Sequence, residues 1–340
     1  MNPIEQVIRR VDARQQRHKP SAFVFGVVKK YGDDNGGVLT ANLAHSGFVS
    51  LFPLLLILVT ILGLVASGDP ALRHQVLHAV AKQIPLIGRQ LAGNVRHLRR
   101  SSVVGLIIGI VTLIWGTSGL AQAGLFTMAQ VWNLPGPERP GYVQRLGRAA
   151  LFLAVLGLGV IVTTLLTALG TYGHIGLVIV VLLEALAVAA NIGMYFIAFR
   201  VLTPKVVHAR RLVPGAVAGG AAWTALQALG TILVHHFLHT ASVYGVFATV
   251  LGLLAWIYLA AEIAVYAAET NVVLSRRLWP RSIVQPPLTA ADRLVLAGQA
   301  LQNQRRDDQH VEVSFDDRPP APAAPSQPPQ ATDEIASPPQ

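Results

Sequence analysis

From about residue 43 to residue 270 the chain is built of long apolar runs separated by short polar connections. The clearest run, Gly47 to Gly68 (GFVSLFPLLLILVTILGLVASG), contains no ionisable side chain. At 1.5 Å per residue, about 20 apolar residues cross the roughly 30 Å hydrocarbon core of a bilayer. Lipid offers the backbone no hydrogen-bond partner, so such a run is helical. Six runs of this kind are read, at about 43–66, 102–122, 147–169, 176–199, 213–237 and 244–270. The pattern predicts an all-α integral membrane protein with six transmembrane helices and the lipid bilayer as its first partner.

The connections set the orientation. The N-terminal arm carries Arg9, Arg10, Arg14, Arg17, Lys19, Lys29 and Lys30; the second connection carries Arg139, Arg145 and Arg148. The fourth has Arg200, Lys205, Arg210 and Arg211, and the tail begins with Arg276, Arg277 and Arg281. The third (TYGHI) and fifth (LHTASV) connections hold no Lys or Arg. Basic residues stay in the cytoplasm, so this alternation predicts an N-in, C-in topology. One segment departs from it. The first connection, about 67–101, is expected outside yet holds Arg73, Lys82, Arg89, Arg96, Arg99 and Arg100. It is long enough to form an external helical element, with Val76, Leu77, Val80, Ile84, Ile87 and Leu91 as its apolar stripe.

Outside the spans, residues 1–42 read as a cytoplasmic arm: a charged, frayed stretch to about 20, then an interfacial helix from Ser21 to Tyr31. Residues 33–37 (DDNGG) are a turn signal. The six-helix domain occupies 43–275, and 276–340 form a cytoplasmic tail. There Thr289 and Asp292 are placed to cap a short helix carrying Leu294, Leu296 and Leu301. From about 303 the tail is rich in Asp, Gln and Pro and is expected to be disordered.

Composition agrees with the membrane reading. Of 340 residues, 52% are hydrophobic and 13% charged, against about 25% charged in a soluble protein. The net charge of +10 follows from the cytoplasmic connections, and no nucleic acid partner is expected. The chain has no cysteine, which excludes disulfides, thiol catalysis and thiolate-bound metal.

Several local strings resemble the YihY/BrkB family of bacterial inner-membrane proteins, once labelled ribonuclease BN. Leu43-Ala44-His45-Ser46-Gly47-Phe48-Val49-Ser50-Leu51-Phe52-Pro53 is similar to that family's Leu-Ala-Tyr-Tyr-x-x-x-Ser-Leu-Phe-Pro string. Val131-Trp132-Asn133, Leu202-Thr203-Pro204, Val213-Pro214-Gly215-Ala216 and the series Tyr244-Gly245, Trp256, Ala268-Glu269 resemble its later signatures. The resemblance implies six spans with both termini inside and an unsettled biochemical role, the nuclease label being a misattribution. His45 and Ser46 stand where the family has aromatics, and Glu262 where it is uncharged.

An ionisable group inside a span costs at least about 2.5–3.5 kcal/mol, which makes it a candidate functional residue. Glu184 lies in the fourth span, Glu262 in the sixth, and Glu269 seven residues later on the same helix face; His45 opens the first span. These four are the candidate polar path, the competing reading being that they fix helix packing. Pro53 is a candidate helix break in the first span. His235 with His239, and His74 with His78, have i, i+4 spacing, but neither pair has a third ligand and no metal is assigned. Gly105-x-x-x-Gly109 and Gly215-x-x-x-Gly219 permit close helix packing. No Walker loop, Gly-x-Ser-x-Gly elbow or His-Glu-x-x-His string occurs, so no catalytic residue, enzyme activity or cofactor is assigned. The expected function is transport or export of a small or lipid-like envelope substrate. The alternative is a non-transporting protein of envelope integrity or assembly. A ribonuclease using Asp33-Asp34 comes third.

Overall fold

The structure, a computed structural model, describes residues 3–65, 118–139, 141–171, 177–204, 206–237 and 245–315. Within them the chain is all helical, with no strand. The helices are α1 (Pro3–Arg17), α2 (Lys19–Asp33), α3 (Gly36–Val65), α4 (118–131), α5 (Tyr142–Thr171), α6 (Leu177–Leu202), α7 (Val213–Phe237), α8 (Gly245–Arg276) and α9 (Ala290–Leu301). Short 3-10 turns, Gly136–Glu138 and Ala209–Leu212, precede α5 and α7.

Three stretches among the described residues are long and apolar enough to cross a membrane: Val181–Leu202, Ala209–Gly230 and Val250–Arg276. The expected first, third, fourth, fifth and sixth spans fall on α3, α5, α6, α7 and α8. Most of the expected second span and the whole basic first connection lie outside the described residues, as do Gly105, Gly109, His74 and His78. Helices α5, α6, α7 and α8 pack in sequence order, and α3 and α2 then close on α8. Gly215 of α7 sits against α8, where an added Cβ would overlap the Ala267 carbonyl; Gly219 faces Tyr195 and Ala267. These small residues let two backbones approach.

Three segments differ from expectation. The arm to residue 20 is helical, not frayed. Pro3 starts α1, Glu5 pairs with Arg9 one turn on (2.9 Å), and Gln16 donates to the buried Asp12 (2.8 Å). Residues 303–315, expected to begin the unstructured tail, follow the surface instead. Gly136 N–H donates to Gln304 O (2.8 Å), and Arg293 lies 6.0 Å over the Phe315 ring. Residues 316–340 are outside the described residues. Helix α2 is also more than an interfacial helix: it buries Ala22, Gly26, Val27 and Lys30 and leaves Val24 and Val28 exposed.

Candidate functional site

The connections α2–α3, α4–α5, α6–α7 and α8–α9 meet at one end of the bundle. Helix termini there are closed by backbone geometry. At the end of α4, Asn133 takes φ 47°, Leu134 N–H donates to Ala129 O (2.9 Å) and Asn133 N–H to Gln130 O (2.9 Å). At the end of α8, Arg277 takes φ 54° and Leu278 N–H donates to Val273 O (3.0 Å). A left-handed residue followed by a six-to-one bond is the Schellman closure. The last carbonyls of α4 then receive cations: Lys30 Nζ donates to Val131 O (3.2 Å) and Arg276 to Trp132 O (2.8 Å). Positive charge at a helix C-terminus complements its dipole.

Lys30 is wholly buried. It contacts Asp34 one turn on and lies 3.6 Å from Glu269, close enough for an ion pair and too far for a hydrogen bond. Asp34 Oδ1 accepts from Asn133 and Gln299, each at 3.2 Å. Beside this cluster sits a second one. Asp292 Oδ1 accepts from Arg281 Nε (2.5 Å) and Lys29 Nζ (3.0 Å). Its Oδ2 accepts from Ser282 N (3.2 Å) and Oγ (3.0 Å) and from Thr289 N (3.0 Å) and Oγ1 (2.8 Å). Burial pushes the Asp292 carboxyl up, but the bonds from Arg281, Thr289 and Lys29 outweigh it and hold it well below the usual carboxylate range. Arg281 also donates to Asp33 (2.6 Å). Together the two clusters tie α2, α4, α8 and α9 into one base.

Above the base, between α3, α4 and the start of α5, lies a cavity of about 380 Å³. Asn42, Ser46 and Gln122 give it neutral polar groups, Leu125 and Phe126 an apolar wall, and Arg139 and Arg145 its charge. Arg139 Nε donates to Leu134 O (3.2 Å), which sets the plane of the guanidinium. A second hollow, of about 650 Å³, opens on the other side of Arg139 and adds Gln144 and Arg148. Uncharged hydrogen-bonding groups, a fixed guanidinium and an apolar wall thus share one recess.

The four expected path residues do not form one path. Glu269 is buried in the base beside Lys30. Glu262, half-buried one face up α8, acts electrostatically on Tyr31 and Tyr266, whose rings stack at 4.2 Å. Tyr31 in turn shares a hydrogen bond with Thr40 (3.1 Å). His45 and Glu184 are exposed on α3 and α6, apart from that column. Pro53 lies inside α3, which is helical on both sides of it. His235 and His236 fall where side chains are not described, and His239 lies outside the described residues. The cavity's arginines entered the sequence reading only as orientation charges. One signal was available: Arg139 follows Pro135-Gly136-Pro137, a turn that aims its side chain back at the bundle.

The family profile described as virulence factor BrkB matches residues 27–289. The chain is similar to the ribonuclease-like protein YfkH of Bacillus subtilis (strain 168), 23% identical over 270 residues, 75% of this chain and 96% of that one. It is similar to a UPF0761 membrane protein of Alcanivorax borkumensis, 25% identical over 276 residues, covering 78% of this chain but 62% of the relative. A UPF0761 membrane protein of Alteromonas mediterranea is 22% identical over 255 residues, 72% of this chain and 85% of its own. No solved structure matches. The names of the UPF0761 relatives are those of membrane proteins, in keeping with the three apolar helices, and none of them denotes an enzyme family. With the profile running from α2 past the end of α8, the chain is a membrane protein that belongs to the virulence factor BrkB family.

Proposed function

We propose that this protein is a six-helix carrier of the bacterial inner membrane, with both termini inside, that moves a small or lipid-like envelope substrate. The observation that carries the reading is the recess between α3, α4 and α5, with Asn42, Ser46 and Gln122 beside the spans and arginines at its mouth. Its charged end shares the side of the bundle on which the basic connections meet, which favours an inward-facing state with that end in the cytoplasm. Transport by alternating access requires this recess to open to the other side in turn. The chain has no cysteine, so single cysteines at Ser46 and Glu262 are clean reporters. Labelling of Ser46→Cys by an impermeant thiol reagent in both intact and inverted vesicles is the expected result. Labelling from the cytoplasmic side alone would overturn transport.

A second reading, a non-transporting assembly protein, is favoured by α9, whose Leu294, Leu296 and Leu301 face outward. The ribonuclease reading loses its metal ligands, since Asp33 is paired with Arg281 and Asp34 with Lys30.

A further inference from the structure

We infer that the recess between α3, α4 and α5 is a phosphate-binding site, with Arg139 and Arg145 as the residues that hold the anion. The inference rests on reading this recess as the substrate's, and it names the substrate's chemistry. Neither arginine has a carboxylate partner among the described residues. Arg139 spends only its Nε, on Leu134 O, so both terminal nitrogens of a plane already fixed are left to bind. That is the fork geometry that suits two oxygens of one phosphate.

The surroundings favour an anion. Burial and the neighbouring Arg305 both lower the Arg139 pKa, so the guanidinium has lost part of its hydration beside a second cation. Arg148 lies on the far side of Arg139, and among the described residues Glu138 is the one acid lining either hollow. A phosphate between Arg139 and Arg145 would be a counter-charge to both. Asn42 and Ser46 lie one helical turn apart on α3 and would donate to its remaining oxygens. Phe126, 42% exposed on the same wall, offers a surface for a chain attached to the phosphate.

The test is native mass spectrometry of the full chain in detergent, titrated with phosphatidylglycerol, with phosphatidylcholine and, separately, with inorganic phosphate. Saturable binding of phosphatidylglycerol, weakened about tenfold by Arg145→Gln and more by the double variant with Arg139→Gln, is the expected result. Arg145 is exposed in the first turn of α5, so its variant will fold, and Arg139→Lys tests the fork while keeping the charge. Arg14→Gln on the exposed face of α1 is the control for general surface charge. Competition by inorganic phosphate alone would make the ligand a free phosphate; competition only by lipid would make it a headgroup, and either supports the site. Binding unchanged in the double variant, or lowered equally by Arg14→Gln, overturns it. This outcome is independent of whether Ser46→Cys labels from both sides, so the anion site and the transport reading fail separately.

Discussion

Replacing Asp292 tests whether the base is held by charge or only by shape. All six partners of its carboxylate are donors: Arg281, Lys29, and the backbone and hydroxyl groups of Ser282 and Thr289. Asp292→Ala removes the second half of the capping box at α9, worth about 1 kcal/mol. It also leaves the buried Arg281 with Asp33 alone, and Lys29 with a carbonyl. Breaking a buried charge pair costs about 3–5 kcal/mol. Asp292→Asn would be conservative on a surface, but here its NH2 group faces either the cations Arg281 and Lys29 or the N–H groups of Ser282 and Thr289, with only the two hydroxyls able to turn and accept. We therefore expect both variants to lose about 3–5 kcal/mol, with Asn within about 1 kcal/mol of Ala. Hydrogen exchange across residues 278–302 reads this as early opening of α9, and SDS-induced unfolding of the purified protein reads the total. An Asn variant close to wild type would refute the reasoning, because shape would then suffice.

The same carboxylate gives a pH dependence with a defined sign. Its folded-state pKa is depressed. Its contribution is therefore complete above the unfolded value of about 3.9 and is lost as pH falls through the folded one. The gap between wild type and Asp292→Asn should be constant from neutral pH to about 5 and shrink below about 4.

Three further tests follow from the packing. Lys30→Met would leave Asp34 and Glu269 buried without their cation and should cost about 3–5 kcal/mol, whereas Glu269→Gln keeps the Lys30–Asp34 pair and should cost far less; SDS unfolding of both variants tests that order. Gly215→Ala drives a methyl into the Ala267 carbonyl and takes the space of Asn271, which accepts from Gly215 N–H (2.7 Å), so loss of about 1–3 kcal/mol is expected in the same assay. Asn191→Leu removes the α6–α7 hydrogen bond to Thr224 (3.1 Å) and should cost about 0.6–2 kcal/mol, with no further loss on adding Thr224→Val.

Hydrophobic runs made the long helices legible, since a run of about 20 apolar residues has one solution in lipid. Local polar signals were legible too: the Thr289–Asp292 capping box and the Asp34–Asn35 turn stand where short-range chemistry puts them. What the sequence hid was the partner at long range. Asp33 and Asp34 spell a turn, yet Asp33 meets Arg281 across 248 residues and Asp34 meets Asn133 across 99. In α9 the leucines that stand out in the sequence, Leu294, Leu296 and Leu301, are exposed. The helix docks through Ala291, Asp292 and Val295, because the buried Arg281 and the half-buried Lys29 demand the carboxylate more than the surface demands leucine's removal. The same limit dispersed the expected path: a glutamate in an apolar run looks alike whether it meets Lys30, as Glu269 does, or stands exposed, as Glu184 does.

Charge balance separates structure from ligand at this end of the bundle. Within the base, Lys29 and Arg281 pair with Asp292, Arg281 also with Asp33, and Lys30 with Asp34 beside Glu269, while Arg276 donates to Trp132 O, so the chain itself meets most of the charge there. A buried set of that kind holds helices in register and gains nothing from another ion. Around the recess the balance shifts: among the described residues, Arg139, Arg145 and Arg148 line the two hollows against Glu138, and Arg305 lies near Arg139. In sequence these arginines and those of the base carry the same orientation signal. In the fold one group is neutralised by its own chain, and the other is left for a ligand of opposite charge. The base therefore serves as the fixed floor of the recess. Mutations in it should act on stability first, while mutations of Arg139 and Arg145 should act on binding first.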